Sequence, residues 1–502
     1  MCGIAGVWGG DELRTVRRMN QRQAHRGPDG HATHSESGQC TLGHTRLAII
    51  DPEGGDQPLV TPDESALIVA NGEVYNHSQL RQRLGPQVDF STTSDSETVL
   101  QWIHNQGDDA VTDLDGMFSV GVLDREGILL ARDPIGIKPL YYGWQHELNE
   151  RRLYFASEIK ALTPFVEEVH EFPPGHYYRT GDDFERYYQL PGPDAQDRPV
   201  EELADTLRKR LDAAVKKRLM SDVPLGAFLS GGLDSSITAA LAMRHLGELH
   251  TFSVGVPGSP DLQAARRVAE HIGSTHHEYK YTAADVRDAL PKILVHLESF
   301  DRDLVRSAIP TWFCARLAAQ HVKVILTGEG ADELFAGYTY YKSIQDHNKL
   351  QRELQRSVAN LHNMNLQRVD RMTMAHGLEG RVPYLDTDFI HSAAAVPPEY
   401  KLPRGGNGRV AEKWILRKAF EDLLPDEVVW RDKAQFDEGS GTLSVLDSVI
   451  DSLASEFDLE EYTSRHPDAH LRGREEQLYH RLLSERLSHP EQLLPTVARW
   501  RP

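Results

Sequence analysis

Leu225-Gly226-Ala227-Phe228-Leu229-Ser230-Gly231-Gly232-Leu233-Asp234-Ser235-Ser236 is an apolar run that stops at paired glycines and passes into a polar segment. The run predicts a short buried strand, and the glycines end it in a tight turn. A helix is expected to follow, through Ala239 and Met243. Hydroxyls and N–H groups gathered at a helix start favour an anion. The lysine of the GxxxxGK[ST] pattern is missing, so this is not the phosphate loop of common NTPases.

Moving toward the C-terminus, Thr251–Val256 predicts a second strand and Asp261–His271 a second helix. Val322–Leu326 predicts another buried strand, preceded by a helix through Phe313 and Leu317. Strands alternating with helices indicate an α/β domain with a parallel sheet, whose ligands sit beyond the strand ends. The third strand feeds Val324-Ile325-Leu326-Thr327-Gly328-Glu329-Gly330-Ala331-Asp332-Glu333. Acids placed to suit a helix dipole would explain one of these carboxylates, but not a cluster following a buried strand. Asp234 and Asp332 are hard oxygen donors and the candidate Mg2+ ligands, with Glu333 assisting. Beyond residue 340 the pattern is mostly helical, a C-terminal helical extension.

Toward the N-terminus, Leu203, Leu207, Leu211, Val215 and Leu219 recur every four residues and predict one buried helix face. Residues 191–200, rich in proline and aspartate, read as a linker. Residues 1–190 show short strands at Ile4–Trp8, Leu47–Ile50, Leu67–Ala70, Phe118–Leu123 and Ile128–Ala131, with helices at 11–24 and 96–106. This predicts an α+β domain of layered antiparallel sheets (αββα). The division is therefore 1–190, a linker at 191–200, and 201–502.

The bulk properties agree with such a division. A chain of 502 residues is too long for one ordinary core. With 39% hydrophobic and 26% charged residues it can bury large cores. A net charge of −20 lacks the basic footprint of a nucleic-acid binder. The cysteines Cys2, Cys40 and Cys314 include no CxxC pair, which argues against a disulfide scaffold and fits a cytoplasmic location. No signal-peptide pattern and no apolar stretch of membrane-spanning length is apparent.

The chain begins Met1-Cys2-Gly3-Ile4. Loss of Met1 would leave Cys2 with a free α-amine that can act as general base for its own thiol. A cysteine near a terminus is, by itself, as readily a small buried hydrophobe. Further along stand Arg26-Gly27-Pro28-Asp29, Gly43-His44-Thr45-Arg46-Leu47, Asn71-Gly72-Glu73-Val74-Tyr75-Asn76 and Thr93-Ser94-Asp95-Ser96-Glu97. In this order the set resembles the glutaminase domain of the N-terminal-nucleophile amidotransferases. The resemblance implies Cys2 as nucleophile, with Asn71 and the Gly72 N–H as oxyanion donors. It implies Arg46 as clamp for the glutamine carboxylate, and Glu73 and Asp95 as partners of its amine.

The loop at 229–236 resembles the pyrophosphate loop of the ATP pyrophosphatases. Its Leu229, Ser230, Gly231, Gly232, Asp234, Ser235 and Ser236 are then ATP-binding candidates, joined by Val254, Gly328 and Tyr338. Arg368-Val369-Asp370-Arg371, Glu379-Gly380-Arg381-Val382-Pro383-Tyr384, Lys413-Trp414-Ile415-Leu416-Arg417-Lys418 and Trp430-Arg431-Asp432-Lys433 extend the similarity. Through both domains, to about residue 440, the chain resembles the glutamine-hydrolysing asparagine synthetases. That implies glutamine, ATP and aspartate as substrates, an acyl-adenylate intermediate, and an internal passage for ammonia. It also implies Glu329 as the base at the second site, Lys433 as a charge-steadying lysine, and Tyr338 as its orienting partner.

One departure bears on the acceptor. A threonine-rich stretch of the family reads Asp303-Leu304 here, while Arg306 is kept. An acid at 303 would repel aspartate, pair with Arg302 or hold an amine, so amidation of a different carboxylate stays open. An inactive scaffold or regulatory protein is the alternative of another class, although Cys2, Asp234 and Asp332 are all present. A homodimer is left open. Gly406–Arg409 reads as a mobile loop, and the tail beyond 440 has no chemical role in this reading.

Overall fold

The computed structural model describes residues 2–36, 38–147, 150–192, 196, 198–403, 411–455 and 458–499. Met1 and the loop expected at Gly406–Arg409 lie outside them. The amino-terminal half contains β1 (Cys2–Trp8), β2 (Gly30–Glu36), β3 (Cys40–Arg46), β4 (Leu59–Val60), β5 (Leu67–Val74) and β6 (Gly116–Asp124). It continues with β7 (Gly127–Arg132), β8 (Tyr141–Glu147), β9 (Glu150–Ala156), β10 (His170–Glu171), β11 (His176–Arg179) and β12 (Phe184–Arg186). These form two six-stranded sheets, β10-β8-β9-β1-β3-β2 and β12-β11-β7-β6-β5-β4, with every recorded strand pairing antiparallel.

Alternation explains the layering. On β5, Leu67 and Val69 meet Ile4, Leu42 and Phe155 between the sheets, while Ile68 and Ala70 turn outward. The outward residues are covered by α2 (His77–Leu84) and α3 (Asp95–Gln106) through Leu80, Val99 and Ile103. On the other sheet, Ala5 and Val7 turn toward Val16 and Met19 of α1 (Leu13–Arg22). Both faces of each central strand are buried, so the strands read as nearly continuous apolar runs. The result is the αββα sandwich expected from the sequence.

The carboxyl-terminal half begins with α4 (Val200–Lys217). Its sheet contains β13 (Leu225–Phe228), β14 (His250–Gly255), β15 (Thr275–Lys280), β16 (Val324–Leu326) and β17 (Glu379–Arg381), in the order β15-β14-β13-β16-β17 and all parallel. The helices α5 (Leu233–Leu246) and α6 (Pro260–Ile272) share a core with Ala227 and Leu326 on one face. The other face is covered by α7 (Ala283–Leu297) and α8 (Arg302–Ala318), which pack with Phe252, Val254 and Ile325. After them come α9 (Ala331–Phe335), α10 (His347–Ala359) and α11 (Asn365–Met374), then the helical extension. From β13 the chain adds strands on one side, then returns to the other at β16. That reversal opens a crevice beyond the ends of β13 and β16, where open parallel sheets bind ligands.

Two departures from the sequence reading stand out. Leu47–Ile50 is not a strand: the chain leaves the sheet after Arg46, and Leu47 and Ile49 pack with Val324 and Met374 of the other half. Their apolarity reflects an interdomain contact. Conversely, β15 and β17 are strands without an apolar signal. They are the two edges of the sheet, and the charges of β17 are paired: Arg381 bonds Glu379 and the carbonyls of Arg218 and Met220. Among the described residues no helix is long and apolar enough to cross a membrane.

Candidate active sites

The amino-terminal site is assembled by strand register. Cys2 and Arg46 are direct cross-strand partners on β1 and β3. Asn71 arrives from the facing sheet, and its Oδ1 accepts from the Cys2 backbone nitrogen at 3.1 Å. Gly72 follows with φ +139°, and an added Cβ would lie 1.9 Å from the Met117 carbonyl, so only glycine fits. Asp95 starts α3 and accepts from the backbone N–H of Val74 at 2.8 Å, beside Glu73. Arg46 is gripped by its loop: Nη1 donates to the Pro52 carbonyl (2.9 Å) and Asp56 Oδ1 (2.7 Å), and Nη2 to the Asp51 carbonyl (2.6 Å).

Burial dominates the electrostatics of this site. It raises the pKa of the Cys2 thiol and of Asp95. Glu73 is pushed well above the usual carboxylate range by burial, with Glu379 and Asp95 adding to it. One Glu73 oxygen, Oε2, is buried without a hydrogen-bond partner among the described residues. An acidic pocket of this kind suits an ammonium ion.

The second site lies at the ends of β13 and β16. Gly231 has φ +71°, and a Cβ there would stand 2.5 Å from the backbone of Ala264. Ser230 and Ser235 hydroxyls are 3.0 Å apart, and Ser230 Oγ accepts from the Gly232 N–H at 3.3 Å. Ser236 is fully buried and its hydroxyl has no partner among the described residues. Gly328 ends the neighbouring strand; a Cβ would stand 2.9 Å from Asp234 Cβ, so glycine allows the two strand ends to meet. A cavity of about 670 Å³ opens here, lined by Leu229, Ser230, Gly232, Asp234, Ser235, Val254, Gly328, Glu329, Asp332, Tyr338 and Lys433. Gly231 and Ser236 shape the loop from behind.

Asp234 and Asp332 converge on one cation, Lys413, whose Nζ bonds Asp234 Oδ2 and lies 2.6 Å from Asp332 Oδ1. Lys433 Nζ donates to Asp332 Oδ2 at 2.7 Å. Burial opposes charge on Asp332, yet the two lysines outweigh it and hold the carboxyl below the usual range. Asp234 Oδ1 is buried with no hydrogen-bond partner among the described residues. Two convergent carboxylates with a vacant lone pair fit a hard divalent cation that completes its shell with phosphate oxygens. Burial raises Glu329, which is bonded to Arg368 of α11. Burial, with Asp332 beside it, lifts Glu333 to about 7. Tyr338 donates its hydroxyl to Glu333 and accepts from Asn365 Nδ2 at 2.8 Å. Asp303 and Arg306 line the far part of the same cavity.

Residues 1–175 match the family described as a glutamine amidotransferase domain, and residues 206–348 and 342–499 match the one described as asparagine synthase. Over 466 residues the chain is 40% identical to the glutamine-hydrolyzing asparagine synthetase 2 of Arabidopsis thaliana, covering 88% of this chain and 79% of the relative. It is 41% identical over 467 residues to that of Asparagus officinalis, covering 88% and 78%. The chain belongs to the glutamine-hydrolysing asparagine synthetases. It is an ATP-dependent carbon–nitrogen ligase of the amidotransferase type.

Three residues of this asparagine synthetase carry site geometry that sequence reasoning did not assign. Lys413 stands in a quoted motif, but its place between Asp234 and Asp332 depends on a chain return of 179 residues. Gly337 is required beside it, since a Cβ would stand 1.9 Å from Asp332 Oδ1. Glu379, on the parallel sheet, pairs with Arg381, which lies 3.7 Å from Glu73, so its charge bears on Glu73 and Cys2 of the amino-terminal site. Burial opposes ionisation of Glu379, but Arg381 and Lys138 are among the groups that bring it down to about 2. Glu379 also stands in a quoted motif, but nothing local in the sequence marks its approach to the amino-terminal site.

Proposed function

We propose that this chain moves ammonia from glutamine to the β-carboxylate of aspartate, consuming ATP to AMP and pyrophosphate. Residues 1–190 act as glutaminase and 201–502 as synthetase, joined by the segment 191–200. With Met1 removed, the Cys2 nitrogen becomes an amine that takes the thiol proton. The thiolate attacks the glutamine amide, Asn71 and the Gly72 N–H receive the oxyanion, and ammonia leaves from a thioester. Arg46 holds the glutamine carboxylate, while Glu73 and Asp95 face its ammonium group.

At the second site the backbone and hydroxyls of residues 229–236 hold the ATP phosphates, with Val254 toward the adenine. Asp234 and Asp332 are the residues that would hold magnesium, which would supply charge neutralisation for a leaving pyrophosphate. Lys433 steadies the same charge from the side. The aspartate β-carboxylate attacks the α-phosphorus and forms an acyl-adenylate. Ammonia then displaces AMP, and Glu329, its affinity for protons increased by burial, accepts the proton. Arg306 binds a carboxylate of the acceptor and Asp303 its ammonium.

The observation that carries this reading is the convergence of Asp234 and Asp332 on Lys413 in the cavity that also contains Asp303 and Arg306. The test is AMP and pyrophosphate release with ammonia as nitrogen donor, across aspartate and other carboxylates. Turnover with aspartate is expected. Turnover with another acid and none with aspartate would overturn the acceptor assignment. Absence of both glutamine hydrolysis and ATP–pyrophosphate exchange would overturn the enzyme reading.

A further inference from the structure

The sequence offers no chemistry for the tail beyond residue 440, yet the structure brings part of it against the acceptor end of the cavity. The helix Gly473–Ser484 buries Leu478, Tyr479 and Leu483 in the same core as Phe300, Leu304 and Val305 at the start of α8. Two residue pairs then cross between the elements. Arg472 bonds Asp301, whose carboxylate caps α8 by accepting from the N–H groups of Asp303 (3.1 Å) and Leu304 (3.0 Å). Glu476 accepts from the Arg302 N–H at 3.3 Å. The tail thus anchors the turn that carries Asp303.

The second contact is to Arg306 itself. Its Nε donates to Glu475 Oε2 at 2.9 Å, and Nη2 bonds Glu475 Oε1. Tyr479, one turn on, donates its hydroxyl to the same Oε2 at 3.2 Å. Arg306 lines the cavity; Glu475 and Tyr479 do not. One edge of the guanidinium is therefore held from outside the cavity, and Nη1 is left 3.8 Å from Asp303 Oδ1. A guanidinium is planar with donors in a fixed fork, so holding one edge orients the other. Without such a brace, ordering a long side chain on binding costs rotamer freedom.

We propose that Glu475 is a positioning residue that presents Arg306 to the acceptor's carboxylate, making the C-terminal extension part of the specificity site. This rests on the reading of Arg306 and Asp303 as the acceptor pocket. It predicts that the tail sets affinity for the acceptor and leaves the chemistry alone.

The experiment measures ammonia-driven synthesis in the full-length enzyme for Glu475→Ala, Glu475→Gln and Glu475→Asp, with Arg306→Ala as reference and glutamine hydrolysis as folding control. Glu475→Ala should raise KM for the acceptor about tenfold, with kcat, KM for ATP and glutamine hydrolysis within about twofold of the parent. Glu475→Asp, which retains the charge, should recover part of the loss, and Glu475→Gln should fall between. An acceptor KM unchanged in Glu475→Ala but raised in Arg306→Ala would overturn the proposal alone. An acceptor KM unchanged in Arg306→Ala would overturn the pocket reading beneath it. A uniform fall of all activities in every Glu475 variant would also overturn it, showing a structural brace only.

Discussion

Arg26 and Asp370 form a buried two-pronged ion pair between the halves of the molecule, Nη1 to Oδ2 at 2.7 Å and Nη2 to Oδ1 at 3.0 Å. The same guanidinium donates through Nε to the Cys2 carbonyl at 3.0 Å. Asp370 lies two residues from Arg368 on α11, and Arg368 bonds Glu329. One short helix is therefore linked through Arg26 to the backbone of Cys2, and directly to Glu329. Asp370→Ala would leave Arg26 buried with less counter-charge, and a destabilisation of about 3–5 kcal/mol is expected. Chemical denaturation checks it; a loss below about 1 kcal/mol would mean that Glu158, the other acid on Arg26, suffices.

The two sites should separate cleanly by mutation. Cys2→Ala should abolish glutamine-driven synthesis and spare ammonia-driven synthesis. Measuring both nitrogen donors on one preparation decides it, because loss of both in a folded protein contradicts separate sites.

Lys413 neutralises two carboxylates at once. Lys413→Met should lower ATP–pyrophosphate exchange on the order of a hundredfold while glutamine hydrolysis continues unchanged. Exchange at the parental rate would remove Lys413 from the phosphate machinery.

Gly337→Ala tests the same arrangement sterically. The new methyl would stand 1.9 Å from Asp332 Oδ1 and 2.2 Å from Lys413 Cε. Overpacking of this kind costs about 1–3 kcal/mol, and the carboxylate must shift. Synthetase activity should be lost and glutaminase activity retained, as separate assays would report.

Lys401 gives a pH-dependent prediction. It is 2% exposed, over the ring of Phe335, and burial lowers its pKa to about 7. Its unfolded value is near 10.5, so between these values the unfolded chain binds the proton and the folded one does not. Stability therefore rises with pH through this window, and the burial cost is fully present below pH 7. Lys401→Met should raise the melting temperature by several degrees at pH 7, and the advantage should shrink toward pH 10. A constant difference across that range would show that Lys401 keeps its proton when folded.

The sequence by itself determined the two architectures and pointed to residues that the fold gathers at two places. Short apolar runs mark β1, β5, β6 and β7, and a strand stopping at glycines marks the loop at 229–236. These signals are local: each depends on which face of one element is buried. Cys2 and Asp234 were candidates because their neighbours along the chain constrain the chemistry. What only the tertiary structure decided are approaches between distant segments. Leu47–Ile50 is apolar because Val324 and Met374 cover it, and β17 is a strand whose charges are paired elsewhere. Lys413 joins Asp234 and Asp332, Arg381 of β17 comes within 3.7 Å of Glu73, and Glu475 braces Arg306 across 169 residues. Each is an electrostatic pairing whose partner has no fixed offset in sequence. Periodicity cannot encode it; only the packed chain brings the charges within reach.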